Sequence, residues 1–364
     1  MGLEVMEIGI VGLANVGKST LFNALTQADV PALNYPFCTI EPNVGVVMIP
    51  DQRLLAVAEV VQPEKVTGSV IKFVDIAGLV RGASKGEGLG NQFLAQIREV
   101  DAVVHLIRAF RDPNVGSVEG DVDPLRDLEV VETELALADL QTLENRMEKV
   151  SRMLKTGDRK YREQMEVLEE AHDHLNNGRI AALDPGKFPP DLRLLSTKPV
   201  VYVINVDEEQ LHDPGQIKSL DQIKARAAAR NYEVILLCAA VEAELAKLSP
   251  DEAREYYQEF GMDEPGLNRI IKAGYRLLDL VTFYTIKGTE TRSWLVPRGT
   301  LAPQAAGKVH TDMERGFIKA EVVAADKLIA CGSFAKAKEQ GAVRLEGKEY
   351  AVQDGDVILF HFNV

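Results

Sequence analysis

"EIGIVGLANVGKSTLFNALTQ", residues 7–27, decides the fold. A short apolar run ends at Val11, a turn runs from Gly12 to Gly17, and Lys18-Ser19 opens a helical pattern in which Leu21, Phe22 and Leu25 share one face. Strand, G-x-x-x-x-G-K-S turn and helix in that order form a phosphate-binding loop. The glycines let backbone N–H groups turn inward on a β-phosphate, and the helix N-terminus adds a positive dipole end. Lys18 supplies a point charge to the β- and γ-oxygens, and the Ser19 hydroxyl is suited to Mg²⁺. Asn15, Val16, Gly17, Lys18, Ser19 and Thr20 are therefore the candidate nucleotide contacts.

A second strand, within "SVIKFVDIAGLVRG" (69–82), ends at Asp75 and continues into Ile76, Ala77 and Gly78. This D-x-x-G suits a carboxylate that holds Mg²⁺ through water and a glycine N–H that senses the γ-phosphate. The glycine-rich stretch 78–93 reads as a mobile switch loop. Between the two motifs, "NYPFCTIEPN" (34–43) places Thr39 where a hydroxyl would complete the Mg²⁺ shell. Lys18, Thr39 and Gly78 are the candidate catalytic groups, and Ser19, Thr39 and Asp75 the candidate metal ligands.

At 364 residues, 46% hydrophobic and 26% charged, the chain has globular usage and room for two or three domains. No stretch reaches eighteen uninterrupted apolar residues, so no membrane association is expected. The three cysteines Cys38, Cys238 and Cys331 are too few and too scattered for a disulfide framework, which points to a reducing, cytoplasmic compartment. A net charge of −14 argues against wholesale coating of a polyanion. The charge is uneven, however: residues 281–364 carry +1, leaving −15 on residues 1–280.

The next decisive stretch is "VVYVINVDEE" (200–209), a buried strand running into a polar turn. A guanine-reading turn would be Asn-Lys-x-Asp; the four positions here are Asn205, Val206, Asp207 and Glu208. In a guanine site the last carboxylate accepts from N1–H and the N2 amine. Adenine presents a lone pair there, which strands the charge. Glu208 is one methylene longer and is free to turn to solvent, Asn205 suits adenine N6 and N7, and Val206 lacks the Lys stem that would cover the base. Guanine recognition is expected to be lost and adenine tolerated, unless Asp207 reaches the base through a one-residue loop shift.

Together with "VEAELAKLS" (241–249) and "DMERGFIKAEV" (312–322), these motifs resemble the Obg-related P-loop proteins, specifically their YchF-type subfamily, the Obg-like ATPases. The resemblance spans nearly the whole chain. It implies an α/β fold: a P-loop NTPase (GTPase-like) domain over 1–280, interrupted by a helical coiled-coil insertion at 128–198, then a β-grasp (TGS) domain over 281–364. It further implies ATP favoured over GTP and association with the ribosome or ribosomal RNA. "LLCAAVEAEL" (236–245) resembles the last nucleotide loop, with Ala239 and Ala240 offering backbone N–H groups to the base and Cys238 where the family often has Ser.

For hydrolysis the sequence offers little. The residue after D-x-x-G is Leu79, which cannot orient water, so intrinsic turnover is expected to be slow. The family pattern implies a His in "RDPNVGSVEGDVDP" (111–124), where Ser117 stands instead. His105, inside the strand "DAVVHLIRAF", reads as a core residue. Asn15 either helps hold a monovalent cation such as K⁺ beside the phosphates or only braces the loop.

Between these motifs, Leu140, Leu143, Met147, Val150 and Leu154, then Tyr161, Met165, Leu168, His172 and Leu175, keep three- and four-residue spacings either side of Gly157-Asp158. They predict an antiparallel helical hairpin, a projecting arm for a partner. In the C-terminal part, Lys287, Arg292, Arg298 and Lys308 near Tyr284 and Trp294 form a weak candidate stripe for RNA. The leading expectation is an ATP-hydrolysing switch tied to translation; a GTPase and a nucleotide-gated binding module with negligible turnover are the alternatives.

Overall fold

The computed structural model describes residues 6–27, 43–78, 89–116, 121–155, 157–259, 262, 264–286 and 288–363. Thr39, Leu79 and Ser117 lie outside them, as do Cys38 and Lys287. The chain divides into two compact units, 6–46 with 72–274, and 1–5 with 47–71 and 275–364.

The first unit is built on a six-stranded sheet in the order Val44–Met48, Val70–Asp75, Glu7–Val11, Ala102–Arg108, Val200–Asn205, Val234–Leu237. The last five strands run parallel. Ala102–Arg108 and Val200–Asn205 are buried along their whole length, which is why they read as continuous apolar runs. Glu7–Val11 lies between Val70–Asp75 and Ala102–Arg108. The loops after the strands therefore gather at the carboxyl edge, where open parallel sheets bind ligands.

The hairpin forms as the spacing predicts. Helix Pro124–Leu154 is started by Asp123, whose carboxylate accepts from the Arg126 N–H, and helix Arg159–Asn176 by Asp158. Gly157, at φ 77°, makes the turn. Leu143, Val150, Leu168 and Leu175 are buried in one seam with Ala171. His172 departs from the expected seam: it stands off beside Glu144 at 3.7 Å, and the smaller Ala171 takes the buried place. Two buried carboxylates fix the arm. Asp139 accepts from the Leu195 and Ser196 N–H groups at 2.8 and 2.7 Å. Glu132 accepts from the Tyr202 hydroxyl and the Arg226 and Arg230 guanidiniums. Burial opposes the Glu132 charge, but these donors outweigh it and hold its carboxyl below the ordinary value.

The stretch 78–93 reads in sequence as a switch loop throughout. Its last residues instead begin helix Leu89–Glu99, because Phe93, Leu94 and Ile97 bury one face.

The second unit has its own six-stranded sheet, ordered Arg344–Glu346, Phe317–Ala324, Asp356–Phe362, Leu280–Thr285, Glu290–Pro297, Lys65–Thr67. Helix Ala302–Val309 packs Ala302, Ala305 and Ala306 against Phe283, Trp294 and Phe360. By compactness this unit begins at 275, six residues before the expected 281, and takes in the segment between strands Val44–Met48 and Val70–Asp75. Lys65–Thr67 pairs in parallel with Glu290–Arg292, and helix Gln52–Val61 buries Leu54 and Val57 beside Tyr284 and Val357. The RNA stripe is not an aromatic platform. Tyr284 and Trp294 are core residues at 0% and 8% exposure, and Arg298 is paired to Asp279.

Candidate nucleotide site

The site grows from the P-loop. Gly12 allows a close crossing, since a Cβ there would stand 2.5 Å from the Leu106 carbonyl oxygen. Gly17 sits at φ 96° against Asn205, where a Cβ would meet Nδ2 at 2.4 Å. The Lys18 ammonium donates to the Gly12 and Leu13 carbonyls at 3.2 and 2.7 Å, which arches the loop over its own helix. Burial holds that ammonium below the ordinary lysine value, and the Asp75 charge opposes the shift. Phosphate oxygens are stronger partners for such an ion than carbonyls.

Ser19 Oγ donates to Asp75 Oδ2 at 3.2 Å, so the P-loop hydroxyl and the D-x-x-G carboxylate converge on one point. A hydroxyl and a carboxylate are hard oxygen donors of the kind Mg²⁺ takes. Gly78 closes this side: a Cβ would lie 3.0 Å from Lys18 Nζ and 3.4 Å from the Ala14 backbone. The structure thus brings Lys18, Ser19, Asp75 and Gly78 together.

Asn15, at φ 63°, donates its side-chain amide to the Gly116 carbonyl at 3.2 Å, so bracing of the loop is present, and Oδ1 has no partner among the described residues. Beside it lies a residue the sequence reading passed over. Arg108, 4% exposed at the end of its strand, donates to the Phe110, Val115 and Gly116 carbonyls and, at 3.5 Å, to the Asn15 carbonyl. Its guanidinium stacks 4.4 Å from the Phe110 ring centroid. An Arg at the end of an otherwise apolar strand was the available signal.

Phe110 leads into a cavity of about 740 Å³, continuous with the P-loop and lined also by Gly17, Thr20, Val206, Glu208 and Ala240. Its place beside the P-loop makes it the candidate seat for a base. Asn205, expected to pair with adenine N6 and N7, also ties two loops together, with one of its two Nδ2 hydrogens committed. It is 4% exposed, its Nδ2 donates to the Val16 carbonyl at 2.9 Å, and its Oδ1 accepts from the Ala239 N–H at 2.9 Å. It is a brace that joins the P-loop to the last loop.

Asp207 is likewise committed. It caps helix Glu208–His212, with Oδ1 accepting from the Gln210 N–H at 2.9 Å while the Gln210 side-chain oxygen accepts from the Asp207 N–H. The Gln210 amide also donates to the Ala109 carbonyl. A loop shift bringing Asp207 to the base would break this whole arrangement. Glu208 is exposed in the first turn, and Val206 is buried at 1%. Cys238 is buried, and burial raises its thiol above the ordinary value, so it lines the cavity as a neutral group. His105 is a core residue, as its place in the strand implied: desolvation lowers it to about 4, and its ring meets Tyr202 edge-on. Among the described residues no cluster of three or more His, Cys, Asp or Glu forms a separate metal site. No described helix is long and apolar enough to cross a membrane.

With this geometry in hand, the relatives agree closely. Residues 7–156 match the family model described as a 50S ribosome-binding GTPase, and residues 280–363 match the YchF-GTPase_C model, described as a protein of unknown function. The chain is 49% identical to the ribosome-binding ATPase YchF of Bacillus subtilis (strain 168), over 98% of this chain and 99% of that protein. It is 50% identical to the ribosome-binding ATPase YchF of Escherichia coli O157:H7 over the same shares. The structure of the Schizosaccharomyces pombe YchF GTPase superposes with a TM-score of 0.85 at 33% identity, covering 99% of this chain and 98% of that one.

Proposed function

The chain belongs to the YchF family, and from that premise we propose that it is a cytoplasmic, ATP-hydrolysing switch whose nucleotide state governs association with the ribosome. The observation that carries the choice of nucleotide is the locked turn at Asp207. A guanine reader must offer a carboxylate to N1–H and the N2 amine, and here the nearest Asp is held in a capping box. Glu208, at the cavity wall, is solvent-exposed in the first turn, so beside adenine its charge stays hydrated rather than stranded. Phe110, Val206 and Ala240 give the base an apolar and backbone-lined seat.

At the phosphate end, Lys18 would exchange its two carbonyl partners for β- and γ-oxygens, and the loop's N–H groups at the helix N-terminus would receive the β-phosphate. Ser19 and Asp75 are the residues that would hold Mg²⁺, with Thr39 as the further candidate. Bound there, Mg²⁺ neutralises charge on the transferring phosphoryl group. Gly78 lets the D-x-x-G backbone approach Lys18, so its N–H is placed to respond to the presence of a γ-phosphate. Asn15 Oδ1, without a partner among the described residues, is the atom through which K⁺ would act.

The test is ATP turnover by the full chain alone and with purified ribosomes. The switch reading expects slow hydrolysis that ribosomes accelerate. Turnover at the background level in both conditions would leave a nucleotide-gated binding module in its place.

A further inference from the structure

We infer that the tip of the helical hairpin, residues 149–155 and 157–162, is the surface that docks on an RNA phosphate backbone. The inference rests on the ribosome-associated reading above and says which part of the chain makes the contact. These residues carry Lys149, Arg152, Lys155, Arg159, Lys160 and Arg162 against Asp158 alone, a net of +5 in a chain whose total is −14. All six cations are exposed. Arg152 and Arg159 pair with Glu148 and Glu163 one turn away along their own helices. Lys149, Lys155, Lys160 and Arg162 have no carboxylate partner among the described residues.

The sign of the charge reverses just below the tip. Glu163, Glu166, Glu169, Glu170 and Asp173 are all exposed along the second helix. Glu163, Glu170 and Asp173 are paired with Arg159, Lys187 and Arg179, so Glu166 and Glu169 carry the acidic character of this face. That disfavours a side-on polyanion and leaves the end-on approach to the tip. The arm is also stiff and long. From Glu132, held by Tyr202, Arg226 and Arg230, to Arg152 is twenty helical residues, a reach of roughly 30 Å at 1.5 Å per residue.

The chemistry of the tip favours nucleic acid over an acidic protein. Protein interfaces bury an apolar core, whereas phosphate contacts need charge and donors. Met153, at 42% exposure, is the one large apolar side chain exposed at the tip among the described residues. Lys149, Arg152 and Lys155, three residues apart, spread their charges along one side of the first helix rather than around an anchor.

The test uses the full chain with Lys149→Ala, Lys155→Ala, Lys160→Ala and Arg162→Ala combined. Binding to purified ribosomes and to a short RNA duplex is measured between 50 and 200 mM KCl. If the four groups each meet a phosphate, the slope of log affinity against log salt becomes shallower by about 3. The affinity gap between wild type and variant then narrows roughly 50- to 150-fold across that salt range. Helix content by circular dichroism and ribosome-free ATP turnover stay at the wild-type level. Wild-type affinity and slope in the variant, on ribosomes that the wild type binds, would overturn the tip assignment and leave the ribosome reading standing. A wild type that ignores ribosomes removes that reading, and the duplex slope then decides the tip on its own. Lost ribosome binding with an unchanged duplex slope would mean that the tip meets a ribosomal protein, which also overturns it.

Discussion

Replacing Asn205 by Ala separates a loop brace from a base reader. The substitution removes the acceptor of the Ala239 N–H and the donor to the Val16 carbonyl, two buried bonds of 2.9 Å each. Each stranded buried group costs about 1–3 kcal/mol, so the fold should lose about 2–6 kcal/mol. The P-loop also loses its tie to the last nucleotide loop, so both ends of the nucleotide site loosen together. A brace acts on the phosphate cradle, whatever base is bound. ATP and GTP affinities are therefore expected to fall by the same factor, leaving their ratio within about twofold of wild type. Urea denaturation reads the first effect, and competition against a fluorescent nucleotide reads the second. The substitution Asn205→Asp sharpens the comparison, because it keeps an acceptor for the Ala239 N–H while turning an anionic oxygen on the Val16 carbonyl. A stability loss below about 1 kcal/mol for Asn205→Ala, or selective loss of ATP binding with GTP binding intact, would refute the brace.

Val206→Lys with Glu208→Asp should raise GTP affinity relative to ATP by about 5- to 150-fold, the worth of one good bidentate pair; an unmoved ratio in competition binding would place selectivity in the backbone around Ala239 and Ala240. His105 gives a pH test. Its folded value of about 4 lies below the ordinary 6.5, so the folded protein binds fewer protons than the unfolded chain and stability falls as pH drops from 6.5 toward 4. At pH 5 that loss is about 2 kcal/mol, and His105→Phe should recover most of it in urea titrations at pH 5 while changing little of this pH dependence above pH 7. ATP turnover should be faster in K⁺ than in Na⁺, and Asn15→Ala should remove the difference; equal wild-type rates in the two salts would leave Asn15 as a brace.

Features set by short spacings were legible in the sequence. Gly12, Gly17 and Lys18 announce the P-loop because a few neighbouring positions carry its geometry, and the hairpin seam follows from three- and four-residue steps. What depended on distant partners was not. That Asn205 also braces the P-loop is seen only from its bond to Val16, 189 residues away. Strand Lys65–Thr67 has three residues, too few to show a period, and its pairing to Glu290–Arg292 crosses more than two hundred positions. Glu132 and Asp139 are indistinguishable by sequence from the solvated acids around them, although both are buried anchors of the arm. Asp207 is a rival guanine reader in the sequence because a capping box with Gln210 shows itself once the turn is folded.

The central claim is most directly tested by titrating the wild-type chain with ATP and GTP against one bound fluorescent nucleotide, in Mg²⁺ buffer at neutral pH. With Asp207 locked in its cap and Glu208 hydrated at the cavity wall, ATP should displace the probe at the lower concentration. A chain that releases the probe to GTP first would contradict the account.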